Sequence, residues 1–132
     1  MSEEWREIVG SGGRYEVSSL GRLRSWVAMG PKGRRRVEPK MLKPGVTRGD
    51  YLIAQLRLND KNYALRLNRV VLFAFEGEPA GEDMQACHAN GNRQDNRLSN
   101  LYWGTPEQNY ADRSRHAAER KAEREAQLES QR

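Results

Sequence analysis

Cysteine is almost missing from this sequence: there is one, at position 87, in 132 residues. A single thiol excludes an internal disulfide and a multi-cysteine zinc site. Apolar residues are scarce as well, at 36%, and the mean hydropathy is −0.97. A chain so short and so polar can bury only a small core, so part of it is expected to be arm or solvated helix. No apolar run approaches the ~20 residues that a membrane span needs. The opening residues, MSEEWRE, are acidic and polar, unlike a signal peptide. These absences fit one compact domain, or two very small modules, in a reducing, cytoplasmic setting with no membrane partner.

Positive charge is what the sequence has in excess, with a net charge of +5 and a pI near 9.7. It is unevenly spread. Residues 1–45 carry 10 basic and 5 acidic side chains, residues 46–86 carry 5 and 6, and residues 87–132 carry 8 and 7. Basic clusters chiefly serve to neutralise phosphate, so a polyanionic partner is expected at the first third. Within it, Arg34, Arg35 and Arg36 follow Gly30, Pro31 and Gly33 in a loop-like stretch over 27–40, and repel one another unless an anion meets them. Ahead of them Tyr15, Val17 and Leu20 mark a strand and Gly21 a turn. Alternation then puts Leu23 on one strand face and Arg22 with Arg24 on the other, either against phosphate or simply toward solvent.

Met41 to Pro44 begins a further strand in this reading. Residues 51–58 alternate over eight positions, and Asn59 to Asn62 make a credible hairpin loop into Tyr63–Leu67. The most apolar stretch, NRVVLFAF over 68–75, has the spacing of a short core helix started by Asn68, a buried strand being the other reading. Residues 84–88 form a short strand candidate, followed by a polar loop to Arg97 and a second strand at Leu101–Trp103. Such a loop needs internal hydrogen bonds, which the amides of Asn90, Asn92, Asn96 and Asn100 can supply. Thr105, Pro106 and Gln108 then start a helix as N-cap, first helical residue and partner in a capping box. Asn109 falls in its first turn. The helix is expected to continue to 132, with too few apolar residues for a strong core face and no sustained heptad.

The segments Cys87-His88, Asn90-Gly91-Asn92, Asp95-Asn96-Arg97-Leu98, Ser99-Asn100-Leu101, Trp103-Gly104-Thr105 and Asn109 resemble the HNH endonuclease motif, in the form found in phage and intron homing endonucleases. Glu4-Trp5, Tyr15-Glu16-Val17-Ser18 and Leu20-Gly21-Arg22-Leu23-Arg24-Ser25 resemble the small DNA-binding module often fused ahead of it. The likeness spans residues 3–116. It implies an α+β fold of short antiparallel strands, with a ββα-metal nuclease core and a C-terminal helix. The corresponding division is an N-terminal DNA-binding module with a basic loop over 1–45, a nuclease core over 46–116 with its motif at 84–110, and a solvated helix over 117–132.

The resemblance also implies roles. His88 matches the general base, and an imidazole suits that task because its unperturbed pKa of ~6.5 lies near working pH. Asn100 matches the middle asparagine, which pins the loop and helps orient the histidine. Asn109 matches a ligand of one divalent metal ion, Mg²⁺ or Mn²⁺. Cys87 stands at the other ligand position, where the family often has Asp or His. A thiol is a poor ligand for a hard cation, which leaves three readings. The ion is held mainly by Asn109, water and DNA phosphate; or it is a softer ion such as Mn²⁺, Ni²⁺ or Zn²⁺; or Cys87 is a buried small hydrophobe that ligates nothing. Asn68, where the family commonly has His, reads as structural. His116 has no comparable setting and is expected to be exposed.

The function implied is metal-dependent hydrolysis of a phosphodiester in double-stranded DNA, leaving 5′-phosphate and 3′-hydroxyl. One site per chain suggests a nick; a monomer and a weak dimer both fit. Candidate phosphate contacts are Arg22, Arg24, Arg34, Arg35 and Arg36 and, nearer the motif, Arg93, Arg97, Arg113 and Arg115. A DNA-binding protein or degenerate nuclease without useful cleavage is the alternative, and RNA binding through the basic arm is a third.

Overall fold

A computed structural model describes residues 2–27 and 35–130; Arg34 lies outside them. The fold is α+β, with three small antiparallel sheets around one helix and a long helix at the end. Strands β1 (Trp5–Glu7), β2 (Tyr15–Ser18), β3 (Leu23–Val27) and β4 (Arg35–Leu42) form the first sheet in sequence order. The stretch expected to be loop up to residue 40 is therefore strand from Arg35 onward, and Met41 and Leu42 end that strand instead of opening one. Its burial pattern has no apolar alternation, because it lies at the sheet edge and is held by pairing with β3. An edge is also where Pro39 costs no ladder hydrogen bond.

Strands β5 (Gly45–Val46), β6 (Leu52–Leu58) and β7 (Lys61–Arg66) make the second sheet. The β6–β7 hairpin is tighter than the four-residue loop read from sequence. Leu58 pairs with Lys61, and Asn59 and Asp60 take φ of 50° and 62°. Both central residues left-handed is the two-residue turn whose twist matches that of the strands.

The apolar stretch is a helix, α1 (Leu67–Phe75). Asn68 does not cap it: the cap position is Arg66, with no side-chain cap bond. Asn68 is buried, accepts from the Arg69 amide at 2.8 Å and donates to the Ala86 carbonyl at 3.3 Å. It thereby ties α1 to the strand that follows. Leu67, Val70, Val71 and Leu72 of α1 meet Ile8 just after β1, Val17 and Leu23 of the first sheet, Ala54 and Leu56 of β6, and Leu101 in a single cluster. The three sheets and α1 thus share one small core. Strands β8 (Gln85–His88) and β9 (Leu101–Gly104) pair beside α1, and α2 (Pro106–Ser130) leads away from them. No helix of the described residues is long and apolar enough to cross a membrane.

Candidate active site

Strand β8 ends at His88 because the next residues have nothing to bury. The chain leaves the sheet in a turn closed by the Gly91 amide donating to the His88 carbonyl at 3.0 Å. From there to the 3₁₀ turn at Leu98–Asn100, order comes from side-chain amides. Buried Asn100 accepts from the Asn90 amide at 3.0 Å and donates from Nδ2 to Asn90 Oδ1 and the Asp95 carbonyl, both at 2.9 Å. Asn90 Nδ2 donates to Asp95 Oδ2 at 2.8 Å, and Asn90 Oδ1 and Asn92 Oδ1 each accept from the amide two residues on. Asp95 takes a two-pronged contact from Arg97, at 2.8 Å on each arm. That hydrogen bonding holds the Asp95 carboxyl down at about 2.

Asn100 therefore pins the loop, as its motif position implies, but its side-chain hydrogen bonds go to Asn90 and Asp95, not to the histidine ring. The partner of His88 is Asn96, whose Oδ1 lies 2.8 Å from Nε2. A carbonyl oxygen accepts, so Nε2 carries the proton and Nδ1 is the basic nitrogen of the neutral ring. His88 is buried and tilts against Tyr51, with ring centroids 6.2 Å apart. Burial pushes its pKa below the ordinary imidazole value; the bond to Asn96 and the Asp95 charge oppose this, and Arg93 adds to it. The ring is thus an uncharged base at neutral pH.

After β9, Thr105 and Gln108 form the expected reciprocal box. The Gln108 amide donates to Thr105 Oγ1 at 3.2 Å, and the Thr105 amide to Gln108 Oε1 at 2.8 Å. With its start fixed, α2 presents Asn109, Asp112, Arg113, His116 and Arg120 along one face, at helical spacing. Across from them lie Tyr51, Ala86, His88, Gly91 and Arg93, enclosing a cleft of about 120 Å³. His116 belongs to this wall and is half-buried, contrary to the exposed placement expected. A Cβ on Gly91 would come within 2.8 Å of His116 Nδ1, so only glycine allows the loop and helix to approach this closely. His116, Arg120 and Tyr51 went unrecognised in the sequence. For the first two, the steps of seven and eleven residues from Asn109 along one helix were the available signal.

Cys87 does not line the cleft. It is 1% exposed, with its thiol donating to the Gln85 carbonyl at 3.4 Å, beside Tyr102 and within reach of the Asp112 and Arg113 charges. Its sulfur would lie 3.1 Å from a Cβ on Gly104. Burial raises the thiol pKa, which opposes the thiolate that a metal needs. Of the three readings, burial and the raised thiol pKa favour the buried hydrophobe.

Donors for a metal ion are otherwise few. Asn109 donates from Nδ2 to Gln85 Oε1 at 3.0 Å, so its Oδ1 is available at the cleft. Asp112 brings a carboxylate that already accepts from the Tyr102 hydroxyl and from Arg115 at 3.2 Å. Among the described residues no group of three His, Cys, Asp or Glu side chains is gathered for a metal. This donor set fits a hard divalent cation held by few protein oxygens and completed by water and phosphate. It does not fit a closed cage.

The arginines divide sharply. Arg22 is bound to Glu3, and Arg24 to Glu16 at 2.8 Å. Arg24 also lies over Trp5 at 4.0 Å, and Arg35 over Trp26 at 4.9 Å. Arg36 donates to the Glu38 carbonyl at 3.3 Å. Arg97 is paired with Asp95, and Arg115 with Asp112 and, at 3.9 Å, Glu119. Arg93 is braced by the Gly49 carbonyl at 2.8 Å and by Tyr51, yet lines the cleft with Arg113 and Arg120. Only Arg93 and Arg113 of the sequence candidates reach the site among the described residues.

A buried neutral histidine at the end of the first strand of a strand–loop–strand–helix unit, facing a helix-borne asparagine across a basic cleft, is the arrangement of a histidine-based nuclease site. Comparison with known proteins is more specific. Residues 66–111 match the HNH endonuclease family and residues 3–57 match the NUMOD4 motif. The chain is 31% identical over 70 residues to an uncharacterised HNH endonuclease, L245, of Acanthamoeba polyphaga mimivirus. That match covers 53% of the chain but only 21% of the viral protein, so the chain spans about a fifth of that relative. A solved structure of the HNH homing endonuclease I-HmuI, titled for DNA binding and cleavage, superposes with a TM-score of 0.68 at 27% identity, over 96% of this chain and 68% of that one. By these matches the chain carries a NUMOD4 motif ahead of an HNH endonuclease domain.

Proposed function

We propose that this chain is a metal-dependent DNA endonuclease of the phage or mobile-element kind, which nicks a strand of duplex DNA. The observation that carries this reading is the state of His88: buried, uncharged and held in one tautomer on the wall of a cleft lined by three arginines. His88 Nδ1 takes a proton from a water molecule as the water oxygen bonds to phosphorus. The P–O3′ bond breaks, giving 5′-phosphate and, after protonation, 3′-hydroxyl. Arg93, Arg113 and Arg120 hold the charged backbone in place, and Asn100 keeps the loop rigid beneath it. Asn109 Oδ1, with Asp112 one turn on, would hold the divalent cation, Mg²⁺ or Mn²⁺ by donor type. Such a cation would supply positive charge to offset the negative charge that builds up as the phosphodiester breaks. Nicking of supercoiled plasmid with a panel of divalent metals tests the reading. Relaxed circles are expected, and their loss in His88→Ala with binding retained. Intact plasmid with every metal, despite tight binding, would leave a DNA-binding protein in its place.

A further inference from the structure

Asn96 stands where the two halves of the chain meet. On the cleft side it accepts from His88. On the other side it is pressed by the turn between β2 and β3. The Leu98 amide donates to the Ser19 carbonyl at 2.8 Å. Gly21 has φ +81°, and a Cβ there would sit 2.8 Å from the Asn96 carbonyl oxygen and 3.1 Å from Asn96 Cβ. The turn itself is stiff. Ser18, fully buried, accepts through Oγ from the Leu20 and Arg22 amides at 3.2 and 3.0 Å, and Ser19 Oγ accepts from the Glu4 amide at 3.0 Å. Asn96 is 4% exposed, and its Nδ2 has no partner among the described residues. A buried donor left unpaired is destabilising, so stability alone does not account for an amide here. Its acceptor oxygen does something for the site.

We propose that Asn96 is the positioning residue for His88, and that the Ser18–Arg22 turn holds Asn96 in place. The N-terminal sheet is then a structural part of the active site as well as a means of reaching DNA. This rests on the reading of His88 as the base. Without the Asn96 acceptor a neutral imidazole exchanges between its two N–H forms, and the fraction with a basic Nδ1 falls.

The test reads the ring directly. In the full-length, metal-free protein at pH 8, ¹⁵N ring shifts of His88 should show the Nε2–H form. Asn96→Ala should give a mixture of forms, and Asn96→Asp, which keeps an acceptor, should restore the single form. Gly21→Ala should move His88 toward the Asn96→Ala pattern, with His116 unchanged as an internal control. In single-turnover nicking, Asn96→Ala should lose roughly 10- to 100-fold in rate, the usual scale for a group that orients a working histidine, with DNA affinity within about twofold of the parent, since Asn96 is buried and phosphate contacts carry affinity. An unchanged His88 signature in Asn96→Ala overturns the positioning role. Should Gly21→Ala fail to fold, amide exchange at Leu98 decides the clamp: protection like that of the core supports it, and exchange like that of an open loop overturns it. If the parent nicks nothing while the ring signature responds as described, the nuclease reading fails and the positioning role stands.

Discussion

Replacing Asn100 with Asp changes one amide nitrogen to oxygen at nearly constant shape, and the loop should feel it at two points. In the parent, Nδ2 donates to Asn90 Oδ1 and to the Asp95 carbonyl, both at 2.9 Å. In Asn100→Asp each contact sets acceptor against acceptor, beside the Asp95 carboxylate. A lost donor that leaves a buried partner unsatisfied costs about 1–3 kcal/mol. Asn90 is exposed and can turn to water, so the two sites together should cost about 2–4 kcal/mol. At about 4 °C per kcal/mol for a domain of this size, Tm should fall by about 8–16 °C. Thermal unfolding followed by circular dichroism at pH 7 measures this. Amide exchange adds a local check: Asn100→Asp keeps the oxygen that accepts from the Asn90 amide, so that amide stays protected, whereas Asn100→Ala exposes it. A Tm within about 4 °C of the parent, or equal Asn90 exchange in the two variants, would refute the idea that this amide organises the loop.

Nicking should depend on pH through His88. Burial lowers its pKa, so the acid limb of the rate profile should lie below the ~6.5 of a free imidazole; a limb above that value would contradict the buried, uncharged base. The same shift acts on stability. Below about pH 6.5 the unfolded chain binds a proton that the folded chain resists, so this group's contribution weakens as pH falls from there through the folded pKa, which urea unfolding at pH 5 and pH 7.5 can compare. Cys87, neutral and buried, should resist alkylation in the native protein at pH 8 and react once unfolded, and Cys87→Ser should leave Mn²⁺ affinity, read by titration calorimetry, unchanged. Arg120→Ala should flatten the dependence of log affinity on log salt by about 0.9, the loss of one phosphate contact, whereas Arg22→Ala, which breaks an internal pair with Glu3, should not.

The parts of the fold that were legible in the sequence are those where local chemistry and tertiary packing agree. Thr105 and Gln108 bracket a helix start in the sequence and do so in space. Residues 51–58 alternate, and one set of them enters the core. Where the decisive partner is distant, the sequence is silent or misleads. Asn68 has the chemistry of a helix cap, but a carbonyl 18 residues away claims its side chain. The strand from Arg35 has no pattern of its own and exists because β3 offers it a ladder. Asn96 and Asn100 are both loop amides four residues apart, and nothing local says which one meets the histidine. The hydrogen bond from His88 to Asn96 settles that, and the turn packed against Asn96 at Gly21 comes from another sheet.

Charge shows the same separation between count and consequence. The first third of the chain carries the basic excess, yet Arg22 and Arg24 there are bound to carboxylates and Arg24 and Arg35 lie over indole rings. The last third is nearly balanced in number, but three of its seven acids, those nearest the cleft arginines along the chain, are committed internally: Asp95 to Arg97, Asp112 to Tyr102 and Arg115, Glu119 to Arg115. Arg93, Arg113 and Arg120 are thereby left to project their charge into the cleft. Charges a few ångströms apart cancel at the distance of a docking strand, while unmatched ones at a cleft wall do not, because a low-dielectric wall focuses their field. The balanced segment, not the basic one, therefore supplies the arginines of the cleft wall beside His88.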